Sequence, residues 1–322
     1  MIRWGIIGAG KIAERFAKSL QHEAYSELYA VSCRTLQKAQ DFADKYHACI
    51  AYGNYKQLLE DHHVDAVYIT LPHGFHYLWS IEALKHHKAV LVEKPAGINA
   101  IEIEGIQEVQ KEYPQLWMEA MKTRFTPLYQ KVKQLIDEDT IGSIVSMQAT
   151  LNTNQPIDKI SGTYLSNPVY GGALLDCGCY CATWITDYLT GRVRIDRVDA
   201  DIQDGYDLHT IAQMHIGDTQ VVLETAMNQP EKKEIIIQGT KGSIKVQDLH
   251  RPTHAEIVMD GQSQQIDCPY VVDDFYGEIH HFVQLLQQGK QDSDVMSIED
   301  SHKTAMLLDR IKDASTPDPI EI

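Results

Sequence analysis

The sequence predicts an α/β protein in which a parallel, doubly wound sheet is followed by a second, α+β domain. In the first 120 residues, short apolar runs alternate with amphipathic helical segments, which is the pattern of repeated βα units. After residue 140, runs of alternating apolar and polar residues dominate, as in strands with one solvated face. At about 100–200 residues per domain, 322 residues allow two domains.

Composition and charge exclude several classes of protein. The hydrophobic content of 43% and the charged content of 23% are ordinary for a globular protein and argue against a disordered one. The net charge of −16 argues against nucleic-acid and anionic-membrane partners, which need compensating cations. Apolar stretches stay shorter than the roughly 18–20 residues of a membrane span, and the N-terminus lacks a signal-peptide pattern. Six cysteines are too few for a disulfide framework, so we expect a reduced, cytoplasmic protein.

The first element is a buried strand, Ile2 to Ile7, that leads into Gly8-Ala9-Gly10-Lys11-Ile12-Ala13 and an amphipathic helix. Strand, tight turn and helix with the pattern G-x-G-x-x-A are typical of a dinucleotide-binding Rossmann unit. Gly8 permits the turn, Gly10 allows a pyrophosphate to approach the backbone, and Ala13 allows close helix–strand packing. Lys11 and Ile12 open the helix, whose free N–H groups and partial positive charge favour phosphate.

The end of the second strand, Leu28 to Ser32, indicates which dinucleotide is preferred. An NAD enzyme often carries an acid here, about 20 residues after the glycines, to bind the ribose hydroxyls. This chain has Ser32-Cys33-Arg34-Thr35 instead. Arginine and small hydroxyl side chains suit a 2′-phosphate, so the sequence favours NADP over NAD. The alternative is that Arg34 is only a solvated loop charge.

Two further strand ends carry polar residues. The βα alternation continues to a strand at Leu116 to Ala120, and it predicts a parallel sheet with right-handed crossovers. Ligands of such sheets bind beyond the carboxyl ends of the strands. Leu71-Pro72-His73 and Glu93-Lys94-Pro95 follow two of these strands directly. We therefore expect both segments to border the cofactor.

Four motifs, taken in order, resemble those of the Gfo/Idh/MocA oxidoreductases. They are Gly8-x-Gly10-x-x-Ala13, Pro72-x-x-x-His76, Glu93-Lys94-Pro95 and the block from Gly171 to Tyr180, with sequence GGALLDCGCY. The block ends in tyrosine where many members have histidine. That feature resembles the branch of dimeric dihydrodiol dehydrogenases, NADP-linked xylose dehydrogenases and glucose–fructose oxidoreductases.

The resemblance implies a Rossmann domain, residues 1–123, and a substrate-binding and oligomerisation domain, residues 124–322, with a large open, mostly antiparallel sheet. The second half of the chain fits this expectation. It contains strand-like runs at Ile144–Leu151, Ile195–Ile202, His209–Ile216, Thr219–Ala226, Lys233–Gln238, Ser243–Gln247 and Ala255–Met259. Helices are expected at Pro127–Glu138, Ala173–Leu189, Asp274–Gln288 and Ile298–Ala314, followed by a terminal extension from Thr316.

The resemblance also implies a catalytic set of Lys94, Asp176 and Tyr180. An ammonium group at Lys94 could donate a hydrogen bond to a reacting carbonyl and stabilise a developing alkoxide. A phenol at Tyr180 could exchange the hydroxyl proton of the substrate. Asp176 lies four residues before Tyr180, so both face one side of a helix, and Asp176 could orient the substrate or Lys94. The sequence leaves open whether Lys94 or Tyr180 is the immediate proton donor.

Further cofactor contacts follow from the same resemblance. In the family, the residue at His76 helps to shape the cofactor site, and Glu93 is expected to help bind the nicotinamide ribose. His73 stands where relatives often have asparagine, so this chain departs from the pattern at one contact. Arg124 either borders the substrate pocket or forms an ion pair between domains.

Cysteine and histidine clusters do not indicate a metal site. Cys177, Cys179 and Cys181 have one-residue spacing on a predicted helix, which splays the side chains apart. Glu278-x-His280-His281 lacks the i, i+4 histidine pair of zinc peptidases. The pairs His62-His63 and His86-His87 end predicted helices, where histidine is common. We predict no metal.

The sequence therefore predicts an NADP-dependent oxidoreductase, with NAD as the alternative cofactor, that acts on a CH–OH group. The expected substrate is a small sugar, polyol or cyclic diol, and the expected assembly is a homodimer or homotetramer formed through the C-terminal sheet. Two alternatives remain: a catalytically silent, cofactor-sensing regulatory protein of the same fold, or an NAD-dependent glycosidase. The substrate loops at 152–170 do not identify the substrate.

Overall fold

The computed structural model describes residues 1–315, and these form two compact units. The first unit contains Met1–Gly97, Ile101–Phe125 and Val271–Ser301, and the second contains Ile98–Ala100 and Thr126–Tyr270 together with the chain from His302. The segment Val271–Ser301, which the sequence assigned to the second domain, thus packs with the first. The predicted terminal extension from Thr316 lies outside the described residues.

The strands of the two units form separate sheets. In chain order the strands are β1 (Ile2–Ile7), β2 (Ser26–Ser32), β3 (Ile50–Tyr52), β4 (Ala66–Ile69), β5 (Ala89–Glu93), β6 (Trp117–Ala120), β7 (Ile144–Asn154), β8 (Val193–Gln203), β9 (Tyr206–Ile216), β10 (Thr219–Ala226), β11 (Asn228–Gly239), β12 (Gly242–Gln247), β13 (His254–Met259) and β14 (Gln262–Asp267). The first six strands belong to one sheet and the last eight to the other.

Helices connect these strands. In chain order the α-helices are α1 (Lys11–Leu20), α2 (Leu36–Tyr46), α3 (Tyr55–Glu60), α4 (His76–Lys85), α5 (Ala100–Glu112), α6 (Pro127–Asp137), α7 (Ile157–Ile160), α8 (Cys179–Tyr188), α9 (Tyr276–Gln287) and α10 (Ile298–Ser315). Among residues 1–315, no helix is both long enough and apolar enough to cross a membrane.

The first sheet has the order β3-β2-β1-β4-β5-β6 and its paired strands are all parallel, which confirms the predicted doubly wound unit. Its core is aromatic: Trp4 contacts Phe16 and Phe282, with ring centroids 5.3 and 5.1 Å apart, and Phe16 stacks on Tyr68 at 3.9 Å. Phe282 belongs to α9. This buried contact explains why the late segment packs with the first unit.

The second sheet has the order β14-β13-β12-β11-β7-β10-β9-β8. The pair β10–β7 is parallel, and the other pairs between neighbouring strands of residues 1–315 are antiparallel. This confirms the mostly antiparallel sheet. The edge strand β14 is the one that the sequence analysis missed, because its residues QSQQID are mostly exposed and lack apolar alternation.

The predicted helix at Ala173–Leu189 is present, but its beginning is wound differently. Residues Leu174–Gly178 form a π-helical turn, and α-helical geometry begins only at Cys179. Single π turns are frequently found at functional sites. In the core of this unit, Trp184 donates its indole N–H to the Leu249 carbonyl at 2.9 Å and packs against Tyr129.

Candidate active site

Four strand ends of the first unit carry predicted cofactor residues at one edge. Strands β2, β1, β4 and β5 are neighbours and run parallel, so their carboxyl ends share that edge. The order of the strands reverses between β1 and β4. This reversal point is where doubly wound sheets bind their ligands.

The glycine turn after β1 is built as a dinucleotide cradle requires. Gly8 has a positive φ of 106°, and a Cβ added there would lie 2.6 Å from the Thr70 carbonyl oxygen. At Gly10, apart from its chain neighbours, no atom of the described residues lies within 4 Å of an added Cβ. Gly10 is also the N-cap of α1 and has no side chain with which to cap the first N–H groups. The open space at Gly10 and the uncapped N–H groups at the start of α1 together fit a pyrophosphate.

The residues at the end of β2 that were predicted to bind a 2′-phosphate differ in their solvent exposure. Ser32 is fully buried, and its hydroxyl donates a hydrogen bond to the Ile6 carbonyl at 3.3 Å. That hydroxyl is therefore directed into the sheet. Arg34 and Thr35 are exposed. The two exposed side chains are better placed than Ser32 to meet a phosphate.

After β4, one histidine joins two loops. The ring of His76 is fully buried, with Nδ1 2.7 Å from the Pro95 carbonyl oxygen and Nε2 2.6 Å from the Leu71 carbonyl oxygen. Two acceptors would suit an imidazolium, but burial, with His73 as a further cause, lowers the pKa of His76 to about 4. The neutral ring thus donates to one of the two carbonyls. His76 thus links the loop after β4 to the Lys94 loop, and its role in the cofactor site stays a prediction.

The turn after β5 presents Lys94. This side chain is partly exposed, and the Lys94–Pro95 peptide bond is cis. Glu93, also partly exposed, accepts a hydrogen bond from the Lys94 backbone N–H at 3.2 Å and a short one from the Tyr68 hydroxyl. Burial raises the pKa of Glu93, whereas the bond from Tyr68 and the charge of Lys94 act against this rise.

The backbone on the far side of Lys94 is also fixed. The carboxylate of Glu119, on β6, accepts the Ala96 N–H at 3.0 Å, and His76 contacts the Pro95 carbonyl. Burial raises the pKa of Glu119. Hydrogen bonds on both sides of Lys94 therefore hold the turn in one conformation.

Tyr68 and Glu119 were not among the site residues predicted from the sequence. Both lie in short strands that are otherwise apolar, AVYI and WMEA, and all four residues of each strand are buried. A polar group in such a run was the available signal, because buried polar groups need partners. Which partner each would find depends on the strand order.

Arg124 is fixed inside the first unit. Its side chain is 1% exposed, pairs with Asp300 at 3.3 Å and donates to the Val295 carbonyl at 3.0 Å. Both partners belong to the same unit as Arg124. This ion pair is therefore internal to the unit, in contrast to the alternative of a pair between domains.

In the second unit, two glycines allow the Gly171–Tyr180 block to turn. A Cβ at Gly171 would lie 2.3 Å from the Leu165 carbonyl oxygen, and one at Gly172, where φ is 93°, would lie 2.0 Å from the Asp207 carboxylate. Asp207 accepts hydrogen bonds from the Leu174 N–H at 2.9 Å and the Thr210 hydroxyl at 2.8 Å. Asp207, which the sequence analysis did not single out, therefore anchors the start of the π turn.

The π turn carries Asp176, and Tyr180 follows in the first turn of α8. Asp176 is partly exposed, whereas Tyr180 is 6% exposed and packs edge-on against His250, with ring centroids 5.6 Å apart. The structure thus holds Asp176 and Tyr180 on consecutive turns of one helical segment. Their convergence with Lys94, which belongs to the other unit, stays a prediction.

The loop that was expected to set specificity is largely ordered into short elements. Strand β7 continues to Asn154, and α7 and a 3₁₀ turn at Tyr164–Ser166 follow it. Ile160 and Leu165 from this stretch are buried in a small cluster with Ala173 and Leu208. The loop is thereby packed against the beginning of the Gly171–Tyr180 block.

The cysteines of this block diverge, as their spacing predicted. The Cys179 thiol approaches the Asp176 carbonyl at 3.5 Å, and the Cys181 thiol approaches the Glu224 carbonyl at 3.9 Å. Elsewhere among the described residues, donor atoms of Asp61, His62 and His63 lie within 4.8 Å of one another. That group follows α3, at the opposite edge of the sheet from the glycine turn. The prediction that the protein binds no metal stays a prediction.

Comparison with known families agrees with the fold and with the glycine cradle. Residues 2–120 match the model of an oxidoreductase family with an NAD-binding Rossmann fold, and residues 129–245 match the GFO/IDH/MocA C-terminal domain. The chain is an oxidoreductase of the NAD-binding Rossmann class. It belongs to the Gfo/Idh/MocA family.

Individual relatives cover nearly the whole chain. A trans-1,2-dihydrobenzene-1,2-diol dehydrogenase of Xenopus tropicalis is 28% identical over 95% of this chain and 96% of its own, and its Homo sapiens counterpart is 28% identical over 97% and 96%. Among solved structures, a 3-ketoreductase from Actinomadura kijaniata, in complex with NADP and TDP-benzene, is 26% identical with a TM-score of 0.88 over 97% of both chains.

Proposed function

We propose that this protein transfers hydride between NADP and the carbinol carbon of a sugar, a polyol or a cyclic trans-diol, with NAD as the alternative cofactor. The observation that carries the proposal is the fixed turn at Lys94, which follows the carboxyl end of the parallel strand β5. Its backbone is bonded on both sides by Glu93, His76 and Glu119. A preorganised cation of this kind can stabilise an alkoxide without reorganising during the reaction.

The relatives support the class of substrate. The Xenopus and human relatives are named for a cyclic diol, and the ketoreductase was solved with NADP and a TDP-linked ligand. Structures of that ketoreductase include a lysine variant and a tyrosine variant. These are the residue types to which we assign the proton transfer here.

The residues of the first unit fit the cofactor. We propose that the N–H groups of Gly10, Lys11 and Ile12 bind the pyrophosphate, that Arg34 meets the 2′-phosphate, and that Glu93 binds the nicotinamide ribose. Leu71, Pro72 and His73 are proposed to border the same site. When bound, the nicotinamide supplies the hydride acceptor for oxidation of the alcohol or the donor for reduction of the ketone.

Lys94 and Tyr180 are proposed to act on the same substrate oxygen. In oxidation, the C–H bond of the carbinol breaks with its electron pair, and the hydroxyl proton passes to the Tyr180 phenolate or to the neutral amine of Lys94. In reduction, the same group returns the proton to the alkoxide. Asp176, one turn before Tyr180, is proposed to orient the substrate hydroxyl or the Lys94 ammonium.

The test is a screen of sugars, polyols and cyclic diols with NADP and NAD in parallel, followed by Lys94→Met and Tyr180→Phe. Removing a group that transfers a proton should lower kcat by about 10²–10⁴-fold. Binding of NADPH, measured by its fluorescence, should survive in both variants. Exposed Lys38→Met and Tyr25→Phe are the matched controls and should keep full activity.

Three results would contradict this assignment. Normal turnover by Lys94→Met would remove Lys94 from the chemistry. Tight NADPH binding without turnover on any substrate would favour the cofactor-sensing alternative. Release of a sugar without a net change in nicotinamide absorbance would identify an NAD-dependent glycosidase.

We further propose a homodimer or homotetramer that forms through the open face of the second sheet. Ile211, Val222 and Ile236 are only partly buried on that face, although they lie on central strands. Light scattering during gel filtration should give a multiple of 36.5 kDa, and Val222→Glu should shift the protein towards monomer. A wild-type monomer would contradict this. A cytoplasmic location is also proposed, because all six cysteines are free; cell fractionation tests it.

A further inference from the structure

His250 lies beside Tyr180 and has no part in the chemistry proposed above. It follows β12 in a turn of the second unit, and its ring packs edge-on against the ring of Tyr180, with centroids 5.6 Å apart and planes inclined at 65°. Aromatic pairs prefer such edge-to-face arrangements, which favour a particular angle between the rings as well as a particular distance. The contact with His250 therefore restricts the orientation of the Tyr180 ring.

The turn that carries His250 is itself anchored to α8. Its neighbour Leu249 is fully buried and accepts a hydrogen bond from the indole N–H of Trp184 at 2.9 Å. Leu249 also donates its backbone N–H to the Lys233 carbonyl of β11 at 3.2 Å. Tyr180 and Trp184 are four residues apart, so they share a face of α8. The turn therefore meets α8 at two points one helical turn apart, which fixes the place of His250.

A second group holds the ring of His250. Its Nδ1 atom lies 2.6 Å from the Asp248 carboxylate, although the two groups are not aligned as in an ideal hydrogen bond. Asp248 begins the turn, and its carbonyl accepts the Arg251 N–H at 2.7 Å. Its φ of 52° lies in the left-handed region, which Asp and Asn adopt more readily than most residues. The carboxylate beside His250 thus comes from a backbone position that is fixed by the turn.

The position of Tyr180 in the helix makes such support useful. Tyr180 is the second residue of α8 and comes directly after the π turn Leu174–Gly178, where the regular i→i−4 bonding of an α-helix is interrupted. The hydroxyl stands at the far end of a rigid ring, so a rotation of the ring displaces it more than any other atom of the side chain. Proton transfer requires hydrogen-bond distance to the substrate, and a misplacement of about 1 Å can lower a rate about 10²-fold.

We propose that His250 is a positioning residue for Tyr180: its ring, held by Asp248 and by the turn that is bonded to Trp184, keeps the Tyr180 ring in the orientation that directs the hydroxyl towards the substrate. The effect on turnover rests on the proposed function, in which Tyr180 acts on the substrate oxygen. The effect on the orientation of the ring does not rest on it and is measured without substrate. Because the ring of His250 makes the contact, an aromatic replacement should serve and an aliphatic one should not.

Crystal structures of the wild type and of two variants test the orientation directly. His250→Ala removes the ring, whereas His250→Phe keeps an aromatic ring and loses the polar atoms. We expect the Tyr180 ring to rotate or to occupy two conformers in His250→Ala, and to keep its wild-type orientation in His250→Phe. A Tyr180 ring that stays in place in His250→Ala would overturn the proposal. If that variant fails to fold, His250→Leu supplies a non-aromatic side chain of similar size.

Kinetics at one fixed pH test the consequence for turnover. His250→Ala should lower kcat by about 10–100-fold and leave KM and NADPH affinity within about twofold, because only the proton-transfer group is misplaced. His250→Phe should keep kcat within about threefold of the wild type. Asp248→Asn should lower kcat by about two- to fivefold, since the ring of His250 is then held less firmly. Exposed His254→Ala and Asp260→Asn are the matched controls; Asp260 has a φ of 51°, close to that of Asp248.

A double-mutant cycle separates positioning from a general loss of structure. In the Tyr180→Phe background, His250→Ala should change kcat by less than about twofold, because no hydroxyl remains to be positioned. A similar loss of kcat in both backgrounds would indicate a purely structural role and would overturn the proposal, as would equal losses in His250→Phe and His250→Ala. If Tyr180→Phe itself keeps the wild-type kcat, the proposed function has failed at Tyr180. The crystal structures then decide by themselves whether His250 orients the ring.

Discussion

Replacing Gly8 with alanine tests the glycine cradle most directly, because the structure assigns two separate costs to this change. Gly8 has a φ of 106°, outside the range that L side chains adopt readily. The added Cβ would also lie 2.6 Å from the Thr70 carbonyl oxygen, a backbone atom that cannot rotate away. Gly8 itself donates its N–H to the Ser32 carbonyl at 2.9 Å, so the turn is bonded to the neighbouring strand.

The two costs can be added. A non-glycine residue in left-handed conformation costs about 1–2 kcal/mol. Forcing a methyl group into packed backbone costs about 1–3 kcal/mol. Gly8→Ala should therefore lower the free energy of unfolding by about 2–5 kcal/mol, a large fraction of the total of about 5–15 kcal/mol for a domain.

Gly10→Ala is the matched variant, because it adds the same methyl group two residues later. Its φ of −102° suits alanine, and apart from the chain neighbours the described residues leave 4 Å clear around the new Cβ. The stability cost should stay below about 1 kcal/mol, the difference between glycine and alanine as an N-cap. The methyl group would instead occupy the approach to the pyrophosphate, so NADPH should bind at least about tenfold more weakly, or about 1.4 kcal/mol.

Urea unfolding and NADPH fluorescence titration separate the two effects. We expect Gly8→Ala to lose stability and Gly10→Ala to lose affinity while it unfolds almost as the wild type does. A Gly8→Ala variant of wild-type stability would refute the conformational argument. Wild-type NADPH affinity in Gly10→Ala would refute the assignment of this turn to the cofactor.

Three further predictions concern other parts of the first unit. Arg34→Ala should weaken NADPH about tenfold and leave NADH unchanged, because only NADPH carries the 2′-phosphate; equal effects in parallel titrations would reassign the residue. His76 has a pKa of about 4 in the folded protein, below its unfolded value of about 6.5. Between about pH 6.5 and pH 4 the unfolded chain therefore binds a proton at His76 that the folded protein does not. The free energy of unfolding of the wild type should fall by about 3 kcal/mol as pH drops through this range. Urea midpoints of His76→Gln should lack most of this fall, and an unchanged fall would place its cause elsewhere. Dialysed protein should contain substoichiometric zinc by mass spectrometry, and a full equivalent that is lost in His62→Ala would establish a metal site at Asp61, His62 and His63.

The sequence by itself determined the elements whose signals are local. The run Ile2–Ile7, the glycine turn and the helix after it follow one another within 20 residues, and the structure has the first strand at the same bounds. Apolar periodicity likewise predicted the six parallel strands and seven of the eight strands in the second sheet. Lys94 and Tyr180 were predicted as site residues from motifs, because chemistry that depends on particular residue types leaves short, recognisable patterns; their roles stay predictions.

Tertiary structure alone decided which distant groups become neighbours. The sequence around α9 does not indicate what this helix packs against, yet its Phe282 contacts Trp4, and Asp274 just before the helix pairs with Arg15 of α1 and with Lys122. The strand order likewise sets Tyr68 beside Glu93 and Glu119 beside Ala96. Periodicity reports which face of an element is buried, but it does not report what that face meets. The charge state of a buried acid depends on those neighbours and on the loss of solvent, and both arise only when the chain has folded.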